Sequence, residues 1–114
     1  MKPNTTVIKL AKYEANQSTH KFRVGAIFYK GKTILGRGFN NGTKTHPKSP
    51  HPYKSIHAEF SAFLHSYRLN NDLNGASLYV HRILANGDKA MAKPCEFCSE
   101  LLTKINVLDV WWSI

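Results

Sequence analysis

The sequence contains no long hydrophobic run. None of its apolar stretches approaches the roughly 18–20 residues that a membrane-spanning helix requires. Its first residues, MKPNTTVIKLAKYEANQ, carry a charge within the short apolar stretch and lack the hydrophobic core of a signal peptide. We therefore expect a protein that is neither secreted nor bound to a membrane, with a cytoplasmic location.

Cysteine is scarce, since Cys95 and Cys98 are the only two among 114 residues. In a chain without a secretion signal, two cysteines favour metal or redox chemistry over a structural disulfide. Apolar residues make up 42 % of the chain and charged residues 20 %, which is a globular composition. The length predicts one domain over residues 1–114, large enough to bury a core without disulfides or metal.

Acidic residues are nearly absent from the first half of the chain. Residues 1–56 contain Glu14 against eleven Lys and Arg, a balance of +10, whereas residues 57–114 contain five basic and six acidic residues, a balance of −1. The two halves add up to the formal net charge of +9. A basic half favours a phosphorylated substrate or nucleic acid, with solubility alone as the alternative.

Hydrophobic periodicity and turn residues predict three helices and four strands in the order α-β-β-α-β-α-β. The helices are expected at residues 7–17, 56–68 and 94–104, and the strands at 23–29, 33–39, 77–84 and 107–113. Residues 40–56 and 85–93 are predicted loops, because they are rich in Asn, Gly, Pro and Ser or contain the turn pair Asn86-Gly87. This order predicts a three-layer α/β domain with a mixed sheet, in which an antiparallel hairpin is followed by parallel crossovers.

Apolar residues at helical spacing mark the expected buried faces of the first two helices. They are Val7, Leu10, Ala11 and Ala15 in the first helix, and Phe60, Phe63, Leu64 and Tyr67 in the second. Trp111 and Trp112 are consecutive in the last predicted strand, so their side chains point to opposite faces of the sheet. We expect one in the core and the other covering the sheet or contacting a subunit.

Three residues form a candidate zinc site. Cys95 and Cys98 lie three apart at the start of a predicted helix, so both sulfurs can face one point, and His57 begins another helix. One imidazole and two thiolates are good zinc ligands, and helix N-termini stabilise thiolates. Three protein ligands leave a fourth position for water, which is typical of catalytic zinc. A carboxylate nearby can then carry protons, and Glu59 is the candidate.

The pattern of His-x-Glu followed by Pro-Cys-x-x-Cys is the signature of zinc nucleobase deaminases. With this pattern and the segments around it, the chain resembles the cytidine deaminase superfamily over nearly its whole length. The matching segments are FRVGA at residues 22–26, GFNNG at 38–42, HAEFSA at 57–62 and PCEFC at 94–98. The resemblance implies the cytidine deaminase fold, one zinc ion per chain held by His57, Cys95 and Cys98, and Glu59 as the catalytic proton carrier.

The resemblance also implies a reaction and further contacts. A zinc-activated water attacks C4 of cytosine, or C6 of adenine, and ammonia leaves. Phe22 and Asn40 are expected to line the base and sugar pocket, and the Ala58 backbone N–H to contact the base. Relatives commonly assemble, and the chain stops before a helix and strand that many of them carry, so we expect a homo-oligomer.

One departure from the family bears on the substrate. Free-nucleoside deaminases commonly carry a glutamate that grips the ribose where this chain has Gly42, and its Phe-Asn-Asn-Gly segment is nearer to the deoxycytidylate deaminases. The loop after Asn40 carries Lys44, Lys48 and Lys54 without an acidic residue. We therefore expect a small-molecule nucleoside or nucleotide substrate, with a monophosphate preferred and held by these lysines.

Other interpretations stay open. A deaminase acting on cytosine or adenine in single-stranded DNA or RNA fits the basic half, but aromatic residues are not interleaved with the basic loop. A zinc-containing nucleic-acid-binding module without catalysis is the second alternative, and the intact Glu59 argues against it. The CxxC pair could also serve redox chemistry or a structural zinc site, in which a further histidine completes the ligands: His46, His51, His65 or His81.

Overall fold

The computed structural model describes residues 2–18, 23–40, 57–84, 89–90 and 96–113, with the backbone alone at 89–90 and 96–99. Its elements are α1 (Thr5–Gln17), β1 (Arg23–Lys30), β2 (Thr33–Phe39), α2 (Ala58–Arg68), β3 (Ser77–Ile83), β4 (Lys89–Ala90), α3 (Glu96–Lys104) and β5 (Asp109–Trp112). The predicted order of helices and strands is confirmed, with the short strand β4 added to it.

The sheet contains antiparallel and parallel pairs of strands, as the predicted hairpin followed by crossovers implies. β1 pairs antiparallel with β2 on one side and with β3 on the other, so Ala26 lies between Gly38 and Val80. β3 pairs parallel with β5 along its first half and antiparallel with β4 at its end. The crossover through α3 thus joins two neighbouring parallel strands.

Helices cover both faces of the sheet and complete the three predicted layers. On one face, Val7 and Ala11 of α1 pack with Ile27, Tyr29 and Tyr79 of the strands. On the other face, α2 and α3 enclose the larger core, which contains Ala26, Phe28, Ala58, Ala62, Leu73, Ala76, Leu78, Val80 and Leu102. The two clusters alternate along β1 and β3, because successive strand side chains point to opposite faces.

The strand β4 corrects the prediction of a loop over residues 85–93. Its two residues pair with Arg82 and Ile83 at the end of β3. The pair Asn86-Gly87, which the sequence offers between these strands, is typical of β-hairpin turns. The hairpin was missed because two paired residues are too few to show a strand pattern.

The buried face of α2 also differs from the prediction. Tyr67 was expected in the core, but 71 % of it is exposed. Phe60 is buried and Phe63 packs against the larger core, as predicted. The side of α2 that lies closest to the sheet is formed by Ala62 and Ser66. It can approach closely because β2 carries glycine at positions 36 and 38, and a Cβ at Gly36 would lie 2.6 Å from the Ala62 carbonyl oxygen. Periodicity of large apolar residues does not reveal such small-residue contacts.

Local chemistry explains where the elements begin and end. α1 starts two residues before its predicted start because the Asn4 side chain caps it, accepting a hydrogen bond from Val7 N–H at 2.9 Å. In β5, Trp112 packs against the larger core while Trp111 is 38 % exposed, which confirms that the two rings face opposite sides.

Within the residues that the structure describes, no helix is long and apolar enough to span a membrane.

Candidate active site

The start of β1 and the ends of β2 and β3 lie at the same end of the sheet. Arg23 at the start of β1 pairs with Ile83 at the end of β3, and Gly25 pairs with Phe39 at the end of β2. The helix α2 runs antiparallel to β2, since Gly38 faces Ser61 and Ala62 while Gly36 faces Ser66. The start of α2 therefore lies beside the end of β2, where Asn40 follows.

The start of α3 faces the same end of the sheet. The turn after α3 lies at the opposite end, because Gly75 N–H donates to the Asn106 carbonyl at 2.9 Å and Ser77 pairs with Asp109. α3 therefore runs back along β3, and its first residue, Glu96, lies toward the end of that strand. The N-termini of α2 and α3 are thus directed to one region, and their positive dipole ends favour anionic ligands there.

His57 and Glu59 occupy the first turn of α2. His57 is the N-cap residue and half-buried, and its imidazole makes no capping hydrogen bond to the helix. Glu59 is the acidic residue of the first turn and is only 4 % exposed. Burial of a carboxylate is unfavourable without compensation, and the helix N-terminus supplies part of it.

Ala58 lies between them and is 1 % exposed. The first hydrogen bond of the helix runs from Ser61 N–H to the His57 carbonyl at 3.0 Å. The Ala58 N–H precedes that bond and has no acceptor within the helix. It can therefore donate to an oxygen atom of a ligand placed at the helix start.

Asn40 is buried at the end of β2, with 8 % of its surface exposed. Its backbone N–H donates to the Val24 carbonyl at 3.1 Å, and its side-chain oxygen accepts from the Val24 N–H at 2.9 Å. The same oxygen accepts from the Ser18 hydroxyl at 2.7 Å. Asn40 is thus held at the end of the sheet, and its partner Ser18, 22 positions away, carries no sequence signal that would pair the two.

The other predicted site residues divide in two groups. Phe22, Lys44, Lys48, Lys54 and Cys95 lie outside the described residues, as do His46 and His51. Cys98 is the third residue of α3, and the structure describes its backbone only. Among the side chains that the structure describes, no group of three His, Cys, Asp or Glu is arranged to hold a metal ion. The ligand set therefore stays a prediction.

His65 and His81 do not lie with His57. His65 is eight residues further along α2, about 12 Å away along the axis, and its Nδ1 accepts from the Arg37 N–H at 3.1 Å. His81 is buried on the face of the sheet that α1 covers, where its Nδ1 lies 2.8 Å from the Tyr79 hydroxyl. Desolvation raises the pKa of that tyrosine. Neither histidine is placed to complete a zinc site at the start of α2.

Known proteins resemble this chain in family and in fold. The family model described as "Cytidine and deoxycytidylate deaminase zinc-binding region" matches residues 1–114. Among solved structures, apo dCMP deaminase from the cyanophage S-TIM5 is 26 % identical with a TM-score of 0.72, covering 98 % of this chain and 84 % of that chain.

Two further structures share the fold. The S-TIM5 enzyme in complex with dCMP and dUMP aligns at 22 % identity and a TM-score of 0.70, covering 98 % of this chain and 82 % of that chain. Cytidine deaminase from Burkholderia pseudomallei aligns at 15 % identity and a TM-score of 0.68, covering 92 % and 78 %. No curated protein sequence matches. Because the family model extends over the whole sequence, the chain belongs to the cytidine and deoxycytidylate deaminase family.

Proposed function

We propose that this protein hydrolytically deaminates cytosine in a nucleoside or nucleotide, with a nucleoside monophosphate preferred. The observation that carries the proposal is the convergence of the first turn of α2, with His57 and buried Glu59, on the end of β2 at Asn40. A nucleophile-activating group and a polar sugar contact are thereby directed to the same region. The family match supports the reaction class.

Zinc fits the donor set of the proposed site. His57 offers an imidazole at the start of α2, and Cys95 and Cys98 flank the first residues of α3. Nitrogen and sulfur donors are those that zinc prefers, and the nearby helix N-termini favour the thiolate form. When bound, one zinc ion per chain supplies a water acidic enough to lose a proton near neutral pH.

Glu59 moves protons in the proposed reaction. Its carboxylate takes a proton from the water and delivers it to the ring nitrogen next to C4, while a C4–O bond forms. It then assists transfer of the second proton to the amino group, the C4–N bond breaks, and ammonia leaves. The near-complete burial of Glu59 supports this role, because it excludes bulk water from the transfers.

Asn40, Ala58 and Phe22 are the proposed contacts to the nucleoside. The Ala58 N–H at the helix start can donate to the base carbonyl. The Asn40 oxygen already accepts two hydrogen bonds, so its amide nitrogen is the group that contacts the sugar, as a donor. The aromatic ring of Phe22 is proposed to line the base pocket.

A monophosphate is the proposed form of the substrate. Lys44, Lys48 and Lys54 lie in the segment that joins the end of β2 to the start of α2, and Gly42 brings no carboxylate to it. Such a segment borders the candidate site at both of its ends. The cyanophage dCMP deaminase, which shares the fold, binds dCMP and dUMP.

Nucleotides and reduced thiols are abundant in the cytoplasm, which is the proposed location.

We also propose that copies of the chain associate through β5. Leu108 is 67 % exposed and Trp111 is 38 % exposed on or beside this strand, so a subunit contact would remove apolar surface from water. Light scattering at micromolar concentration is the test. A monomer would contradict the proposal, and Trp111→Lys should shift an oligomer toward the monomer.

The reaction is tested with a panel of cytosine and adenine substrates as bases, nucleosides, nucleotides and single-stranded oligonucleotides. Ammonia release and the mass change from amino to oxo form are the readouts. We expect turnover of cytidine or deoxycytidine compounds and faster turnover of the monophosphate. Turnover of oligonucleotides alone would favour a nucleic-acid deaminase, and zinc content without any ammonia release would favour a catalytically silent binding module.

Glu59→Gln tests the proposed proton carrier, because glutamine has the same shape but cannot accept and return a proton. We expect the variant to keep its fold and zinc while kcat falls by about 10²–10⁴-fold. Glu100→Gln on the exposed side of α3 is the matched control and should keep full activity. Activity of Glu59→Gln within tenfold of the original would overturn the role.

A further inference from the structure

The C-terminal end of α1 is joined to the candidate site by one buried serine. The Ser18 hydroxyl lies 2.8 Å from the backbone oxygen and 2.7 Å from the side-chain oxygen of Asn40, which is 22 positions away in the chain. Both residues are buried, with 7 % and 8 % of their surfaces exposed. The single hydroxyl proton is therefore shared between two oxygen atoms of Asn40.

These contacts determine which way the Asn40 amide points. The Val24 N–H can only donate, so the atom 2.9 Å from it must be the amide oxygen. With Ser18 donating as well, both lone pairs of that oxygen are used. The NH₂ group is fixed at the other end of the amide, and toward a ligand the Asn40 side chain can act only as a donor.

Ser18 reaches Asn40 because α1 packs unusually close to β1. Gly25 lies directly under the helix, and a Cβ there would lie 2.6 Å from Ala15 N and would overlap the Ala11 carbonyl oxygen. Ser18 ends the helix in extended conformation, with its N–H donating to the Ala15 carbonyl at 3.1 Å. The missing side chain at Gly25 thus allows the hydroxyl at the helix end to approach the strand end.

We propose that Ser18 is a positioning residue for the substrate: its hydroxyl holds the Asn40 amide so that the NH₂ group donates to a hydroxyl of the substrate sugar. The inference rests on the proposed function, since it deepens the role of Asn40 there. Without the Ser18 hydroxyl, the Asn40 amide oxygen loses one of these two hydrogen-bond donors, and the amide is held less firmly in this orientation. Sugar binding should then weaken, whereas the chemistry at C4 stays unaffected.

The test compares Ser18→Ala with the original protein on two substrates, a nucleoside and an analogue whose sugar ring carries no hydroxyl group. We expect KM for the nucleoside to rise about fivefold to tenfold, with kcat within about twofold, because one buried hydrogen bond is lost. KM for the analogue should not change. Ser18→Thr keeps the hydroxyl and should restore the original KM.

Ser66→Ala is the matched control. Ser66 is fully buried in α2, far from the start of that helix, and its hydroxyl also bonds a backbone carbonyl, that of Asn71 at 3.4 Å. We expect both kinetic constants to stay near their original values. If Ser18→Ala does not fold, Ser18→Cys, with a weak donor of similar shape, must show the same dependence on the sugar hydroxyl.

Two kinds of failure are distinguishable. An equal change of KM on both substrates, or a loss of kcat that Ser18→Thr does not restore, would overturn the role of Ser18 and leave the proposed function intact. Absence of turnover by the original protein would contradict the proposed function and remove the role of Ser18 with it. As a further check, Ser18→Ala should add nothing to the KM change of Asn40→Ala.

Discussion

The Arg37 guanidinium lies 3.1 Å from the Glu14 carboxylate and joins the strand β2 to the buried side of α1. Glu14 is almost fully buried, whereas the Arg37 side chain is 36 % exposed and also lies 5.5 Å above the Tyr13 ring. The pair fixes the helix whose C-terminal end carries Ser18. It therefore supports the candidate site as well as the fold.

Removal of Arg37 should destabilise the protein more than removal of both charges. Arg37→Ala leaves the Glu14 carboxylate buried without its partner, and we expect a loss of about 2 kcal/mol in the free energy of unfolding. Adding Glu14→Gln should recover part of that loss. Arg68→Ala, at an exposed position of α2, is the control for charge removal. Urea denaturation gives the free energy of unfolding of all four proteins. A double variant that is less stable than Arg37→Ala would contradict the prediction.

Tyr29 should make the stability fall at high pH. Its side chain is fully buried, and desolvation together with the Asp109 charge raises its pKa from 10.0 to about 12, although a hydrogen bond with Ser77 opposes the rise. The folded protein therefore holds the phenol proton more tightly than the unfolded chain. This contribution to stability is complete below pH 10.0 and is lost as the pH rises toward about 12.

We expect the free energy of unfolding to fall by roughly 1 kcal/mol per pH unit in that window because of Tyr29. Tyr29→Phe should show a smaller slope than the original protein, since phenylalanine has no proton to lose. Tyr67→Phe, at an exposed ring, is the control and should keep the original slope. Equal slopes for Tyr29→Phe and the original protein in denaturation experiments would show that the prediction is wrong.

Much of the fold was predictable because its signals are local. Hydrophobic periodicity locates α1, α2 and α3 within a few residues, and the Lys30-Gly31-Lys32 segment gives the hairpin of β1 and β2. His57 and Glu59 were identified as site candidates because their chemistry coincides with a helix start. Both properties can be recognised in a short stretch of sequence.

The rest depends on contacts that no short stretch reveals. The link between Ser18 and Asn40 requires α1 to lie close against Gly25, and this approach exists only after the layers have packed. The exposure of Tyr67 likewise follows from the contact of Ala62 with Gly36 and Gly38, which turns the small side of α2 toward the sheet. Tertiary packing overrides the preference of a large apolar residue for the core in such cases.

Zinc content tests the candidate metal site directly. We expect about one zinc ion per chain, held by His57, Cys95 and Cys98, and the double variant Cys95→Ser/Cys98→Ser should lose it. Removal of the metal should lower the melting temperature, because ligands that bind the folded state stabilise it. His65→Gln is the control and should keep zinc, since this histidine bonds the Arg37 backbone. Stoichiometric zinc in the double variant, measured by atomic absorption, would remove the proposed ligand set.

The lysines after β2 give the last prediction, which concerns the phosphate of the substrate. Lys44, Lys48 and Lys54 lie outside the described residues, and the sequence places them between Asn40 and His57. Two like charges at ~4 Å repel by about 4 kcal/mol at an effective dielectric of ~20, so Gly42 in place of a carboxylate matters to a bound phosphate. Replacing all three lysines with glutamine should raise KM for a nucleoside monophosphate about tenfold and leave KM for the nucleoside unchanged.

A second triple variant controls for net charge. Lys9, Lys12 and Lys32 are exposed on α1 and on the turn between β1 and β2, and their replacement by glutamine removes the same total charge. If Lys44, Lys48 and Lys54 contact the phosphate, this control changes KM for the nucleotide little. The KM of the control variant should then depend on salt concentration as the KM of the original protein does. An equal rise of KM in both triple variants would mean that the overall positive field attracts the nucleotide and that Lys44, Lys48 and Lys54 do not bind it.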